Sequence, residues 1–396
     1  MNVAISACLL GAPVRYDGGS KSSEAVQDLA ARVHVIPVCP ETASGLPVPR
    51  LPAEQVGDRV FLSDGSDVTA EFELGVSRTL VKLADTDVSL AILKAKSPSC
   101  GVGLVYDGTY SGRLVAGNGL LTERLKEKGI CVVTEQTVAS CKPTVEHPVA
   151  IVLGSGLGHL GALVRPVRRI DYHDIEGFPE DARPIPGHSF EATIGTIDDV
   201  PVVVYPGRIH LYQGYSASEV SSLVRHAHHL GCQVIIFACA TGSIPGNAHT
   251  GLGILTDQIN LTGQNPLADW DGMREVQTPF VDMSEAFSPY LRTIARGVAD
   301  DLGIGVEEGV YAGVLGPNFE TPAEVAALRS LGVSYVGMSC VCEVIMARAL
   351  GMQVLGLTLA TNESGAPAVT HESVLAEANQ HSDEFERLVR GILKML

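Results

Sequence analysis

The chain has 396 residues, 45% of them hydrophobic and 18% charged; this length is more than one core usually serves, and the composition excludes a disordered polypeptide. A formal net charge of −17 excludes a broad footprint on nucleic acid or an anionic membrane, yet leaves room for small anions held by backbone N–H groups. The nine cysteines are odd in number and follow no short framework, so they read as buried thiols or ligands rather than disulfides. The opening MNVAISACLLGAP lacks a basic flank, and no stretch approaches the ~20 apolar residues of a membrane span. The expectation is a cytoplasmic protein with reduced thiols.

Strand and helix patterns alternate through the first third. Val3–Leu10, Val33–Val38, Ser89–Leu93 and Ile130–Val133 are apolar runs, while Ser22–Ala31, Ser66–Leu83 and Gly119–Lys128 carry helical spacing. This predicts a small α/β domain with a mostly parallel sheet over residues 1–140. Thr134–Pro148 is polar and holds two prolines, so 141–148 reads as a linker. A second α/β domain, 149–396, begins with VAIVLGSGLG. Its further strands are expected at Val200–Tyr205, Val234–Ala240, Gly309–Leu315, Tyr335–Gly337 and Val354–Ala360. Helices are expected at Ser218–Leu230, Ala286–Asp301, Pro322–Leu331, Glu343–Ala349 and His371–Leu393. No internal repeat is visible.

In the second domain, polar clusters follow the apolar runs. Gly154-Ser155-Gly156-Leu157-Gly158 sits after the first strand, where glycines let backbone approach an anion and the hydroxyl adds a donor. A dinucleotide-binding reading lacks the acidic residue on a following strand. Gly207-Arg208-Ile209-His210-Leu211-Tyr212 offers a guanidinium fork beside an imidazole. Small residues at Ala238–Ser243 leave space for a ligand at a strand end. Gly316–Thr321, Gly337–Ser339 and Thr361-Asn362 follow other runs. Each alone is an ordinary loop; together they put polar groups at successive strand ends along one sheet edge.

GSGLG, PGH, GRIHLYQGY, GQNPL, GPNFETPAE, VGMS, EVIMAR and TN, in this order, resemble the trimeric purine nucleoside phosphorylases over about residues 149–396. The resemblance implies a mixed, distorted barrel-like sheet flanked by helices, a homotrimer, and phosphorolysis of 6-oxopurine nucleosides with phosphate as co-substrate. It implies phosphate contacts at Ser155, Arg208, His210, the Ala240 backbone and Ser339, with His188 nearby. Tyr212, Met338 and His371 would hold ribose; Phe319, Glu320 and Asn362 would hold the base. Asn362 would stabilise charge developing on the leaving purine, with His210 and Glu320 as the other catalytic positions. Glu320 would accept from N1–H, a proton that adenine lacks. Three departures stand out. Cys239-Ala240-Thr241-Gly242-Ser243 replaces the usual Asn-Ala-Ala-Gly-Gly, Ser339-Cys340-Val341-Cys342-Glu343 replaces Ser-Thr-Val-Pro-Glu, and Glu363 stands where some members carry Lys. Cys340 and Cys342 read as packing residues at a helix start.

In the first domain, Cys8, Cys39 and Cys100 each end or follow an apolar run before a turn. They read as buried thiols, or as thiolates that converge on one sheet edge and hold a [4Fe–4S] cluster with one iron open. Zinc would want a fourth ligand, which these motifs lack. SACLLGxxxRYDGG, PVCPExxxGLPVPR, LKAKSPSCG and YDGTYSGRLVAGNG resemble the thiouracil desulfidases over about residues 1–140. That resemblance implies the cluster on Cys8, Cys39 and Cys100, and replacement of a thione sulfur by water oxygen with sulfide released and no net redox change. Glu41 would activate the water and Ser97 would bond the base or the leaving sulfur. Arg15, Asp17 and Arg50 read as charges that pair with one another, and Cys131 and Cys141 as structural. The fusion implies shared small-molecule substrates, nucleobases and nucleosides, and points to a thiopurine ahead of thiouracil. Two other readings are a phosphorylase domain that only trimerises and captures purine, and a first domain that is a structural or zinc-binding adaptor.

Overall fold

Met1–Lys142 and Pro143–Lys394 fold as two units in the computed structural model, which describes residues 1–268, 270, 272, 280–367 and 369–396. The first unit contains β1 (Asn2–Ser6), β2 (His34–Val38), β3 (Ala53–Val56), β4 (Arg59–Leu62), β5 (Val88–Leu93), β6 (Leu104–Tyr106), β7 (Leu114–Ala116) and β8 (Cys131–Thr134). Its sheet runs β2-β1-β5-β8 with every pairing parallel, as the strand–helix alternation predicts. Parallel strands all end at the same edge, so the segments that follow them are brought together. The predicted strand Val3–Leu10 stops at Ser6, because Ala7–Leu10 coils into a 3-10 turn closed by Gly11 at φ 96°. That turn carries Cys8. After β2 comes the short helix Pro40–Ala43, started by Cys39 and a proline in its first turn. After β5 comes the segment leading to Cys100.

Two hairpins, β3–β4 and β6–β7, escaped the periodicity reading because each strand is three or four residues long. The polar stretch just ahead of the expected linker 141–148 forms the helix Glu135–Cys141. The Thr134 side chain caps it by accepting from the N–H groups of Gln136 and Thr137, and Val138 and Cys141 are buried. Two turns of helix are too short to show a period.

The second unit contains β9 (Val149–Val152), β10 (Arg165–Asp171), β11 (Glu191–Ile197), β12 (Val200–Tyr205), β13 (Val234–Ser243), β14 (Gly251–Asn260), β15 (Glu307–Gly313), β16 (Val333–Gly337) and β17 (Gln353–Glu363). Their order is β10-β11-β12-β9-β13-β16-β15-β14-β17, and β17 also pairs with β13. The ring β13-β16-β15-β14-β17 therefore closes into a distorted barrel of mixed parallel and antiparallel pairs. β9 and the first part of β13 are buried throughout, which is why they read as continuous apolar runs. β10, β11 and β14 lie outside the expected set. β10 is exposed at every residue but Ile170, so only its partner β11 makes it a strand. The expected helix His371–Leu393 divides at His381 into His371–Gln380 and Ser382–Met395. The latter buries Phe385, Leu388, Val389, Ile392 and Leu393, whereas the former buries only Ala378. No helix among the described residues is long and apolar enough to cross a membrane.

Gly75, in the helix Thr69–Ala84, shows how tightly the first site is backed. A Cβ there would fall 2.0 Å from the Pro40 carbonyl oxygen. Gly75→Ala is expected to cost about 1–3 kcal/mol by overpacking, read by urea unfolding. An unchanged midpoint would mean that the two helices separate freely.

Candidate active sites

Cys8, Cys39 and Cys100 line one cavity of about 480 Å³ together with Glu41 and Ser97. Burial pushes the Cys8 thiol up to about 11, and the neighbouring Cys39 adds to this. Burial likewise pushes Cys100 up to about 12, against a hydrogen bond from Ser6. Thiols with such values give up their protons to a bound cation rather than to water. Among the described residues, no three His, Cys, Asp or Glu side chains converge closely enough to hold a single metal ion. A cubane cluster takes each thiolate on a different iron, so its ligands surround a body and do not meet at a point. Three thiols around one cavity suit that arrangement better than tetrahedral zinc.

Glu41 is the most constrained carboxylate of this cavity. Its Oε2 accepts from Arg50 Nε at 3.0 Å and pairs with Arg50 Nη2, while Oε1 accepts from Ser99 Oγ at 2.9 Å. Arg50 also donates to the Val14 carbonyl at 3.2 Å. Ser97 Oγ lies 3.0 Å from Ser99 Oγ and 3.5 Å from Glu41 Oε1. It accepts from the N–H groups of Ser99 and Cys100, each at 3.2 Å, while its own hydroxyl donates toward Glu41 Oε1. Arg15 pairs with Asp17 at 2.9 Å. Arg50 does not join them, which corrects the expected charge cluster. Arg50 and Ser99 are the residues that sequence reasoning missed. The only signal for Ser99 was its place between Ser97 and Cys100.

In the second unit a cavity of about 350 Å³ gathers Ser155, Arg208, His210, Tyr212, Ala240, Phe319, Glu320, Met338, Ser339, Asn362 and His371. His188 stands behind Ser155, its Nε2 at 3.1 Å from the hydroxyl. His188 Nδ1 lies 2.9 Å from both the N–H nitrogen and the carbonyl oxygen of Arg208, which anchors the ring to that backbone and turns Nε2 toward Ser155. Burial pushes His188 down to about 4. It pushes His210 well below its usual range, with His188 and Arg208 adding to the effect. The His210 ring stacks on Tyr212 with centroids 4.8 Å apart. The anion end therefore offers neutral imidazole donors.

Arg208 is 1% exposed and Glu343 is fully buried, with 2.7 Å between them. The guanidinium also donates to the carbonyls of Val152 at 3.0 Å and Ala238 at 2.9 Å. One side chain thus ties the end of β9 and the middle of β13 to the helix Val341–Ala349, whose first-turn acid is Glu343. Arg208 Nε and Glu343 Oε1 have no protein partner. The two sequence departures meet beside this pair. Cys239 and Cys340 are both buried in the same core cluster, and burial keeps Cys340 protonated. Cys340 starts the helix at φ 40° and Cys342 is buried in its first turn.

At the other end, burial raises the Glu320 pKa above the usual carboxyl value. Thr361 Oγ1 donates to Asn362 Oδ1 at 3.2 Å, and Asn362 Nδ2 donates to the Glu363 carbonyl at 3.3 Å. His371 lies at the start of its helix with Nε2 3.2 Å from the Pro186 carbonyl. Phe319 is 46% exposed, a flat apolar face at the rim.

Residues 3–137 match the model of the 2-thiouracil desulfurase family, and residues 148–394 match that of the phosphorylase superfamily. Purine nucleoside phosphorylase 1 of Geobacillus stearothermophilus is 39% identical over 251 residues, which are 62% of this chain and 90% of that protein. A Schistosoma mansoni purine nucleoside phosphorylase solved with adenosine superposes with a TM-score of 0.58 at 34% identity, over 63% of this chain and 91% of that one. A schistosome purine nucleoside phosphorylase with hypoxanthine gives 0.57 at 33% identity, over 63% and 91%.

Glu343→Ala leaves the Arg208 charge buried and alone, which is expected to cost about 3–5 kcal/mol in urea unfolding. A loss below about 1 kcal/mol would mean that water or another carboxylate takes the vacated place. The buried imidazoles add a pH dependence. The unfolded chain binds their protons from about pH 6.5 downward, while folded His188 takes its proton only near 4. Stability is therefore expected to fall as the pH drops through that window, and His188→Gln is expected to flatten the fall.

Proposed function

Because the chain belongs to the phosphorylase superfamily through residues 148–394 and matches the 2-thiouracil desulfurase family over residues 3–137, we propose that it is a bifunctional enzyme of nucleobase and nucleoside metabolism. Residues 149–396 split 6-oxopurine nucleosides with phosphate into free purine and pentose 1-phosphate. Residues 1–140 replace the sulfur of a thiolated base or nucleoside by oxygen, and 141–148 link the two. The observation that carries the phosphorylase reading is the convergence of loop and strand-end residues on one cavity with anion donors at one end and Glu320 with Asn362 at the other.

In this reading phosphate rests on Ser155, Arg208, His210, Ser339 and the Ala240 N–H. The neutral imidazoles of His188 and His210 donate hydrogen bonds without adding charge. Tyr212, Met338 and His371 orient the ribose, so that phosphate oxygen bonds to C1′ as the bond from C1′ to the purine nitrogen breaks. Asn362, its amide turned by Thr361, stabilises the purine as negative charge develops. Glu320 accepts from N1–H and Phe319 covers the ring.

In the first domain, Cys8, Cys39 and Cys100 hold a [4Fe–4S] cluster, which supplies when bound an open iron that acts as a Lewis acid toward the thione sulfur. Glu41, held by Arg50 and Ser99, takes a proton from water as its oxygen adds to the thione carbon. Ser97 bonds the base or the leaving sulfur. The C–S bond then breaks as the added oxygen forms C=O, the proton held by Glu41 and the remaining hydroxyl proton both pass to sulfur, and hydrogen sulfide leaves with no electron gained or lost. Fusion to a purine site favours a thiopurine. The active form proposed is a cytoplasmic homotrimer.

Anaerobically purified protein is expected to hold about four iron and four acid-labile sulfide per chain, and to release sulfide from 6-thioguanine. It is expected to convert inosine and phosphate to hypoxanthine. Glu41→Gln should lower sulfide release by about 10²-fold or more and leave phosphorolysis intact. Asn362→Ala should lower phosphorolysis by about 10²–10³-fold and leave sulfide release intact. Iron-free protein after reconstitution would remove the desulfurase chemistry. Absence of hypoxanthine would reduce the second domain to a purine-binding module.

A further inference from the structure

The first cavity holds a second carboxylate that the mechanism above does not use. Glu54, on β3, lines it together with Glu41 and the three cysteines and is only 9% exposed. Its Oε2 accepts from the Tyr110 N–H at 2.9 Å, its one hydrogen bond among the described residues. Glu41 has a guanidinium beside it, whereas no Lys or Arg of the described residues pairs with Glu54. A buried carboxylate that meets a single neutral donor is costly unless a ligand completes its hydrogen bonding. With Oε2 occupied and the side chain in the cavity wall, Oε1 is the oxygen left for that ligand.

The surroundings hold this carboxylate in place. Tyr110 sits in the turn between β6 and β7 at φ 56°, a backbone conformation that residues with a side chain rarely adopt. It is fixed from both ends. Its N–H is on Glu54, and its hydroxyl lies 2.6 Å from the Phe61 carbonyl oxygen and 3.3 Å from that of Pro52. The same turn presses on β3, since a Cβ at Gly108 would fall 2.8 Å from the Gln55 carbonyl oxygen. The Gln55 amide, its nitrogen turned toward them, donates to the carbonyls of Pro98 at 3.1 Å and Asn118 at 3.2 Å. β3 is thereby tied to the segment that carries Ser97 and Cys100. Tyr16, Tyr106 and Tyr110 line the cavity as well, and aromatic walls suit a planar heterocycle.

We propose that Glu54 is a specificity-determining residue of this site, accepting a hydrogen bond from the ring N–H next to the thione carbon and so selecting thiolactam bases. The inference rests on the desulfurase reading. An ionised carboxyl only accepts. A thiolactam carries its mobile proton on that nitrogen and keeps its sulfur doubly bonded; with the proton on sulfur the ring nitrogen is bare. Accepting from the N–H therefore holds the thione form, whose carbon is the one that water attacks. A thione with a bare neighbouring nitrogen sets lone pair against lone pair and leaves the carboxylate unpaired.

The test uses the full chain, purified anaerobically, with sulfide release measured on two pairs of compounds. 6-Thioguanine is compared with its N1-methyl derivative, and 2-thiouridine with 2-thiocytidine, which keeps the thione but has a bare N3. Within each pair that the wild type turns over, the compound with the N–H is expected to lead by about 10²-fold or more in kcat/KM. In Glu54→Gln the amide oxygen stays on the Tyr110 N–H and the NH₂ group takes the place of Oε1, so an acceptor becomes a donor. Sulfide release from 6-thioguanine and 2-thiouridine should then fall by about 10²-fold, while that from 2-thiocytidine holds or rises. Iron content and inosine phosphorolysis should stay at wild-type values. A wild type that desulfurises the compounds without the N–H as fast as their partners would overturn the role of Glu54, whether or not the variant folds. So would a Glu54→Gln protein with the wild-type ratios. Both results leave the desulfurase reading standing. A wild type that releases sulfide from none of the four compounds would overturn both.

Discussion

The second unit depends on a charge held where water cannot reach it. Arg208 and Glu343 are both buried, and the carbonyls of Val152 and Ala238 complete the guanidinium's contacts. A buried ion pair is worth little as net stability, since desolvation offsets most of its attraction. Its effect here is geometric. Two parallel strands and the start of a helix must keep one spacing for Nη1 and Nη2 to reach their acceptors, and Ser155, Ala240 and Ser339 lie on or beside these elements. The same dry setting keeps His188 and His210 neutral, so the pocket presents donors without an excess of fixed charge. Cys239 and Cys340 pack beside the pair. Their burial in one core cluster lets two sequence departures be accommodated side by side.

The first unit reaches a similar end by topology. Parallel strands deliver the turn after β1, the helix after β2 and the segment after β5 to one edge, so three cysteines distant in sequence share a cavity. The carboxylate beside them is held from both sides, by Arg50 at one oxygen and Ser99 at the other. That arrangement leaves Glu41 little rotational freedom, as a group handing protons to a defined atom requires. The lack of a side chain at Gly75, where a Cβ would meet the Pro40 carbonyl, sets how close the long helix comes to this corner.

How much of this was legible beforehand divides along range of interaction. Buried strands such as β9 and β13 announce themselves, because burial on both faces demands unbroken apolar residues. β10 and β14 do not, since one is mostly exposed and the other acquires its pairing from β15 and β17. The helix after Thr134 was hidden by its length, and the division at His381 by the continuity of helical spacing across it. Motif order led to the residues lining both cavities, because glycines and small polar residues at strand ends are local signals. The pairing of Arg50 with Glu41 escaped because the two lie nine positions apart across a turn.

The sequence by itself determined that there are two α/β units, where their apolar strands lie, and which polar residues stand at the strand ends, for these follow from composition and spacing within a dozen residues. Only the tertiary structure decided which of those residues meet. Closure of the barrel through β13 and β17 brings Gly242 against Ser364 and Asn362. The fold buries Arg208 against a glutamate 135 positions away. It also removes water from Glu320 and His188 and so shifts their protonation. Burial and long-range pairing are properties of the packed chain, and no local pattern encodes them.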